Sequence, residues 1–452
     1  MDHRPDTRSL AATGPVEADR RHLLHPQHHP ADHTDPIFWE RGDGVYLIDR
    51  SGRRYIDGLS GMWNVHVGHG RRALADAAAE QMSRLAFANV YAGASHGPAV
   101  DLAVRLAQLA PNPIEAFFFT SGGSEATDTS IRTARWYWQA LGRPEKSKIV
   151  SRQLSYHGST IGAASATGVD EFSATFGPRL PGFLHIPSPY PYRFDGTGRQ
   201  AADLLEPALI EAGPETVAAF IAEPIQGGGG GVIVPQDDYF PRIRDICDRY
   251  DVLLIADEVI TGFGRTGRWF AVEHWGIAPD ILQFAKGITS GYLPFGGIGV
   301  SRAIKAAMDA APSDRRWWHG FTASAHPVAA AVALANLDII ANEGLVAAAE
   351  HLGARLLDRL RAGLAGHPHV GDIRGLGLLA GIELVADRSA RTRFAADAGL
   401  AARLRFELRA RGLYTRVLTD VVCLAPPLST PPSTVDEIAD ITIAAIAATF
   451  NS

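Results

Sequence analysis

Cysteine is nearly absent from these 452 residues: Cys247 and Cys423 are too few for a disulfide scaffold or a cysteine-based zinc site. Long apolar runs are missing too. None approaches the roughly 18 uninterrupted apolar residues of a membrane-spanning helix, and the opening MDHRPDTRSLAATGPVEADRR lacks the apolar stretch of a secretory signal. Charge is close to balanced, with 49 acidic residues against 43 basic ones and a formal net charge of −6. No basic patch suits nucleic acid or a lipid surface. The expectation is a soluble cytoplasmic protein that binds neither nucleic acid nor membrane.

Lysine is the scarcest charged residue. Lys146, Lys148, Lys286 and Lys305 are the four lysines among the 43 cations, and arginine supplies the rest. Lys146 and Lys148 fall in the polar RPEKSK stretch and Lys305 in SRAIKAAM, which reads as a helix surface. Lys286 differs: it follows the apolar run ILQFA and precedes Gly287, so partial burial is expected. A desolvated lysine, unlike arginine, can shed its proton and act as an amine nucleophile.

The length fits two or three domains, and 46% hydrophobic with 20% charged residues is ordinary for a globular chain. The first 35 residues or so are polar and rich in proline and histidine, which reads as an extended arm. GVYLIDRSGRRYIDGLSG alternates around Ser51-Gly52 as a β-hairpin does. From about 70 to 330, apolar runs at 116–120, 148–150, 217–222, 251–256, 281–285 and 298–300 alternate with helical patterns. Strands apolar throughout and separated by helices indicate a parallel sheet covered on both faces. Beyond 330, amphipathic helices, a short strand region near GLGLLAGIELV and a terminal helix suggest a smaller domain. The expected organisation is an arm and hairpin over 1–70 that join the small domain, a large domain over 71–330, and a small domain over 331–452.

The strand ends carry the chemistry. Thr120 leads into SGGSEA, Ala222 into Glu223, Ala256 into Asp257 and Ala285 into Lys286. In open α/β sheets, ligands bind outside the carboxyl ends of the strands. VLLIADE also fits an ATPase strand, but the partner phosphate loop needs Gly-Lys, a dipeptide that never occurs here. Ser121-Gly122-Gly123-Ser124 can present bare N–H groups and hydroxyls to an anion at a helix N-terminus, although taken alone it also reads as an ordinary N-cap. A phosphate cradle, an isolated semi-buried lysine and a strand-end carboxylate together match pyridoxal phosphate, whose pyridine nitrogen a carboxylate keeps protonated.

The sequence resembles the class III pyridoxal-phosphate aminotransferases of fold type I over nearly its whole length. The resemblance rests on HLLHP (22–26), GDGVYLIDRSGRRYIDGLSGMWNVHVGHG (42–70), FFFTSGGSEA (117–126), SYHGST (155–160), AEPIQG (222–227), LLIADEVITGFGRTG (253–267), FAKGI (284–288), HGFTASAHPVA (319–329) and APPL (425–428). It implies an α/β fold, with a mostly parallel central sheet in a large domain and a smaller α+β domain. Lys286 would be the Schiff-base lysine and proton shuttle, and Asp257 the partner of the ring nitrogen. Gly123 and Ser124 would bind the phosphate, Tyr156 and Val259 would flank the ring, and Glu223 would order the pocket. Thr322 would reach the phosphate of a neighbouring subunit, which implies a homodimer with shared sites.

Two departures bear on substrate. Gly122 stands where many relatives have serine. The glycine-rich stretch after AEPIQG is one residue longer than the related stretch, and Gly228 stands where relatives that use 2-oxoglutarate commonly carry glutamate. GMWNVHVGHG instead resembles the amine–pyruvate (ω-transaminase) branch, which implies a substrate pocket bordered by Trp63 and Tyr91, with Arg416 as a mobile arginine for keto-acid carboxylates. The expected reaction moves an amino group from a primary amine or ω-amino acid to a keto acid, pyruvate foremost. The alternatives are a 2-oxoglutarate-dependent ω-amino-acid aminotransferase, an aminomutase or decarboxylase on the same fold, and a binding protein that keeps only the scaffold. The histidines His22, His25, His28, His29 and His33 match the family's arm, and no metal is expected there.

Overall fold

The computed structural model describes residues 14–27, 29 and 36–451. Part of the arm is helical rather than extended. Pro15–His22 forms a helix with proline near its N-terminus and Arg20, Arg21 and His22 in its last turn, both favoured placements. His28 and His33 lie outside the described residues. Among the described residues no group of three or more His, Cys, Asp or Glu side chains is arranged to hold a metal.

The hairpin follows from local chemistry. Strands β1 (Trp39–Asp43), β2 (Tyr46–Asp49) and β3 (Arg54–Asp57) pair antiparallel, with Leu47 opposite Tyr55. Asp49 Oδ1 accepts from the amides of Ser51 (2.9 Å) and Arg53 (3.0 Å). Gly52 takes φ +84°, which closes the turn without a Cβ penalty.

The large sheet contains β4 (Ile114–Thr120), β5 (Lys148–Arg152), β6 (Phe183–Ile186), β7 (Val217–Ala222), β8 (Leu253–Asp257), β9 (Ile281–Phe284) and β10 (Gly296–Ser301), in the order β4-β10-β9-β8-β7-β5-β6. β7, β8 and β9 are buried at every position, as strands with both faces covered must be. β10 runs antiparallel to β4 and β9. The link over 285–295 is too short for a parallel crossover. Its glycines admit close approach: a Cβ on Gly297 would lie 2.5 Å from the Phe118 carbonyl oxygen. β6 went unread in the sequence because four residues, one of them His185, give too short an apolar run.

β8 and β9 are parallel neighbours, with Asp257 opposite Gln283. This brings Asp257 to the same sheet edge as Lys286, which follows β9 by two residues. Between β8 and β9 lies a 3₁₀ turn over Ala271–Trp275.

The small domain holds β11 (Val370–Gly375), β12 (Ala380–Leu384), β14 (Arg416–Leu418) and β15 (Val421–Leu424) in one antiparallel sheet, with the helices Leu345–Leu364 and Pro432–Asn451. β13 (Leu413–Tyr414) pairs with β3 and ties the hairpin to this half. The boundary expected at residue 330 falls inside the helix Pro327–Asn342, which packs on the helices Arg72–Arg84 and Gly97–Leu109 of the large domain. A 60° bend follows it into Leu345–Leu364, where Gly344 takes φ +63°.

Candidate active site

The carboxyl edge of the large sheet gathers unlike polar groups around one cavity of about 360 Å³. β4 ends at Thr120, and the 18-residue helix Gly123–Ala140 starts directly beyond Ser121-Gly122. No side chain caps this helix, so its first-turn amides have no intrahelical acceptor and its positive dipole end faces the cavity. Ser124 Oγ accepts from the Ser159 amide at 3.0 Å, which leaves its own proton to donate. A Cβ on Gly123 would lie 3.1 Å from Val259 Cγ1, so the bare backbone is what fits there.

Asp257, at the end of β8, is 3% exposed and held from two sides. Its Oδ1 accepts from the Val259 amide at 3.1 Å, and its Oδ2 accepts from His157 Nδ1 at 2.6 Å. Glu223, at the end of β7, accepts from the amides of Tyr156 (2.9 Å) and Gly227 (2.9 Å). Burial pushes its carboxyl above the usual range, with His157 pulling it down and Asp257 pushing it further up. Glu223 thereby fixes both Tyr156 and the start of the glycine run. The far end of that run is fixed as well: the buried Arg374 donates to the carbonyls of Gly231 (2.7 Å) and Val232 (2.9 Å).

Lys286 begins the turn after β9 with φ +45°. Desolvation holds its ammonium below the ordinary lysine range, Asp257 and Glu223 pull it back up, and Arg416 pushes it down. Its Nζ makes no hydrogen bond among the described residues. A cationic helix end, a fixed carboxylate and an easily deprotonated amine on one wall are the donor set that a phosphorylated aldehyde on a pyridine ring needs, and these residues fit pyridoxal phosphate.

Of the residues singled out in the sequence, Gly123, Ser124, Tyr156, Glu223, Asp257, Val259 and Lys286 line this cavity together. Trp63, Tyr91, Arg416 and Thr322 do not. Trp63 is 2% exposed and packs with Leu59, Ile225 and Ile260, the last of which lines the cavity, so it backs the wall instead of forming it. Arg416 lies over the Trp63 ring at 5.6 Å and donates to Gln27 Oε1 (3.2 Å) and Met62 Sδ (3.4 Å). Tyr91 is 47% exposed, with its hydroxyl against Gly320, two residues before the exposed Thr322. Neither lines the cavity of its own chain.

Asn64 and Thr289 went unassigned in the sequence although both line the cavity, and they are joined there by His157, which its place beside Tyr156 marks as a supporting residue and not a catalytic base. His157 adjoins Tyr156 and its partner Asp257 is 100 residues away, a pairing that no local pattern announces. Asn64 follows Trp63 in GMWNVHVG, and that adjacency was the available signal.

Glu258, next to Asp257, is fully buried and accepts from the Val272 amide (2.8 Å) and the Thr261 hydroxyl. Burial pushes its carboxyl up to about 7, opposed by these donors. Its folded-state pKa therefore exceeds the unfolded one. Its contribution to stability is full below the unfolded carboxyl range and is lost as pH rises through about 7. Glu258→Gln can still accept from the Val272 amide through its oxygen, its NH2 now donating to the Thr261 hydroxyl oxygen, and it removes the titration. From about pH 5 to about pH 8 the thermal midpoint of this variant should gain on that of the parent; parallel pH profiles would contradict the assignment.

Comparison with known proteins places these features. The sequence model of the class III aminotransferases matches residues 28–446. The putrescine–pyruvate aminotransferase of Pseudomonas aeruginosa is 43% identical over 404 residues, covering 88% of each chain. A thermostable (S)-enantioselective ω-transaminase from Thermomicrobium roseum superposes with a TM-score of 0.93 at 46% identity, over 96% of this chain and 98% of its own. The ω-transaminase of Pseudomonas jessenii, solved in complex with PMP, gives a TM-score of 0.93 at 38% identity, over 97% and 99%.

Proposed function

The chain belongs to the class III aminotransferases, pyridoxal-phosphate enzymes that move an amino group from an amine to a keto acid, and from that premise we propose a primary amine or ω-amino acid as donor and pyruvate as acceptor. The observation that supports pyruvate is Gly228. A Cβ built there would lie 3.7 Å from the Tyr156 ring, so this position borders the ring and brings no charge to it. The resemblance implies a glutamate here in enzymes that use 2-oxoglutarate. A relative named for putrescine and pyruvate, 43% identical, points the same way.

Bound pyridoxal phosphate supplies the aldehyde that takes up the amino group and the ring that spreads the resulting electron pair. The chain's residues do the rest. The first turn of helix Gly123–Ala140 and the Ser124 hydroxyl bind the phosphate. Asp257, fixed by His157 and the Val259 amide, holds the proton on the ring nitrogen. Tyr156 and Val259 confine the ring within the cavity. Lys286 Nζ would hold the cofactor between turnovers and, when free, would take a proton from the donor carbon and later return one. The donor leaves as a carbonyl compound, and pyruvate leaves as alanine.

We also read the chain as a homodimer with shared sites. The Tyr91 hydroxyl lies against Gly320, two residues from Thr322, neither residue lining its own cavity, and Phe87, in the same exposed stretch as Leu85, lies tilted at 55° to the His326 ring, 5.9 Å away. That surface suits a second copy, to whose site both residues would contribute.

Steady-state kinetics with the two acceptors test the reading. The parent enzyme should favour pyruvate over 2-oxoglutarate in kcat/KM by about tenfold or more, about 1.4 kcal/mol. Gly228→Glu should erase about tenfold of that preference, because the resemblance ties a glutamate at this position to use of 2-oxoglutarate, while the half-reaction with a simple amine is spared. A parent enzyme that prefers 2-oxoglutarate would refute the acceptor assignment.

A further inference from the structure

The helix Pro327–Asn342 buries Pro327, alanines, valines, leucine and isoleucine, and one polar residue, Asn336. Asparagine is a poor helix former, and a buried amide costs stability unless its hydrogen bonds are met. Here they are met by a single segment. Asn336 Nδ2 donates to the carbonyls of Gly287 (2.9 Å) and Ile288 (3.0 Å). Its Oδ1 accepts from the Ser290 hydroxyl at 2.6 Å, and Ser290 Oγ in turn accepts from the Val67 amide at 3.2 Å. Every one of these bonds to 287–290 grips the turn that Lys286 begins.

That turn needs holding. Lys286 and Ser290 take φ +45° and +49°, left-handed values that residues with a side chain adopt reluctantly and keep only where the surroundings impose them. On the other side, His66 closes the space: a Cβ on Gly287 would lie 2.6 Å from His66 Nε2. The backbone is thus wedged between His66 and the Asn336 amide, and the residues that follow, Thr289, Gly291 and Leu293 to Phe295, form one wall of the cavity.

We propose that Asn336 is a positioning residue: by binding the Gly287 and Ile288 carbonyls it imposes the left-handed conformation of Lys286 and so aims Nζ into the cavity. The proposal rests on Lys286 as the cofactor-bearing lysine. An aspartate of the same shape would lose both donors and set a negative charge against two carbonyls. Alanine would free the turn.

The test uses the apo-dimer and two readouts other than turnover: hydrogen exchange of the backbone over 286–291, and the growth of visible absorbance on adding pyridoxal phosphate. Asn336→Ala should speed exchange in that segment, leave the large sheet unchanged and slow the absorbance change at least tenfold. Asn336→Asp should do the same, and Ser290→Ala, which removes one anchor, should slow it about threefold. Should Asn336→Ala fail to fold, Ser290→Ala decides alone. Uptake within twofold of the parent in the folded variants would overturn the proposal, whatever their melting temperatures. Lys286→Ala is the control: if it develops the same absorbance as the parent, the reading of Lys286 falls and the proposal with it.

Discussion

Lys286→Ala is expected to lower turnover by about 10⁴-fold or more while the protein stays folded, because one atom performs both nucleophilic capture of the cofactor and proton transfer. Stability should hold for a physical reason. Lys286 Nζ makes no hydrogen bond among the described residues, and burial disfavours its charge, so truncation removes a desolvated cation and leaves no broken partner. What the variant does lose is the cation that faces Asp257 and Glu223, which should raise the Glu223 carboxyl beyond the upward shift that burial already imposes. Single-turnover assays with an amine, beside thermal melts and sedimentation, check both halves. Undiminished turnover would remove Lys286 from the mechanism.

Asp257→Asn should be nearly as damaging without changing shape. The amide oxygen can still accept from the Val259 amide, but the amide nitrogen then faces His157 Nδ1, which donates to Oδ2 in the parent. The imidazole must change tautomer or lose the bond. More important, a neutral amide cannot hold a proton on a pyridine nitrogen. Removing one partner of a buried charge pair costs about 3–5 kcal/mol, which corresponds to a rate loss of about 10² to 10³-fold or more. The loss should appear in kcat for the amine half-reaction, with the amine KM little changed, since Asp257 would touch the ring and not the substrate. A variant within threefold of the parent in kcat would show that the ring is not protonated by this carboxylate.

How much of this was legible in the sequence depended on distance along the chain. Glu223, Asp257 and Lys286 could be read because each closely follows a strand buried at every position, so a polar residue there lies at a sheet edge and not in the core. The phosphate cradle was legible for the same reason, with Thr120 leading straight into the Gly-Gly turn and the helix. The roles given to Tyr156 and Val259 came from family resemblance, and their meeting in one cavity is a fact of the fold. His157 was legible as a supporting residue beside Tyr156 but its partner Asp257 was not, and Asn336 was not legible at all, because each acts on a residue dozens of positions away through a bond that only the packed chain creates. The direction of β10 was not legible because an apolar run such as 298–300 carries no sign of which way it runs; the short 285–295 link carried that information. Trp63, Arg416 and Tyr91, which the family resemblance set near a substrate, do not line the cavity of their own chain: Trp63 packs behind Ile260, Arg416 lies over the Trp63 ring, and the Tyr91 hydroxyl lies against Gly320.

The most direct test of the central claim is the visible absorption of the purified protein loaded with pyridoxal phosphate, followed through addition of a simple primary amine and then pyruvate. The account predicts a yellow protein that bleaches with the amine and regains its colour with pyruvate, stoichiometrically and without 2-oxoglutarate. A protein that stays colourless after loading, or that bleaches and recovers with no keto acid present, would contradict it.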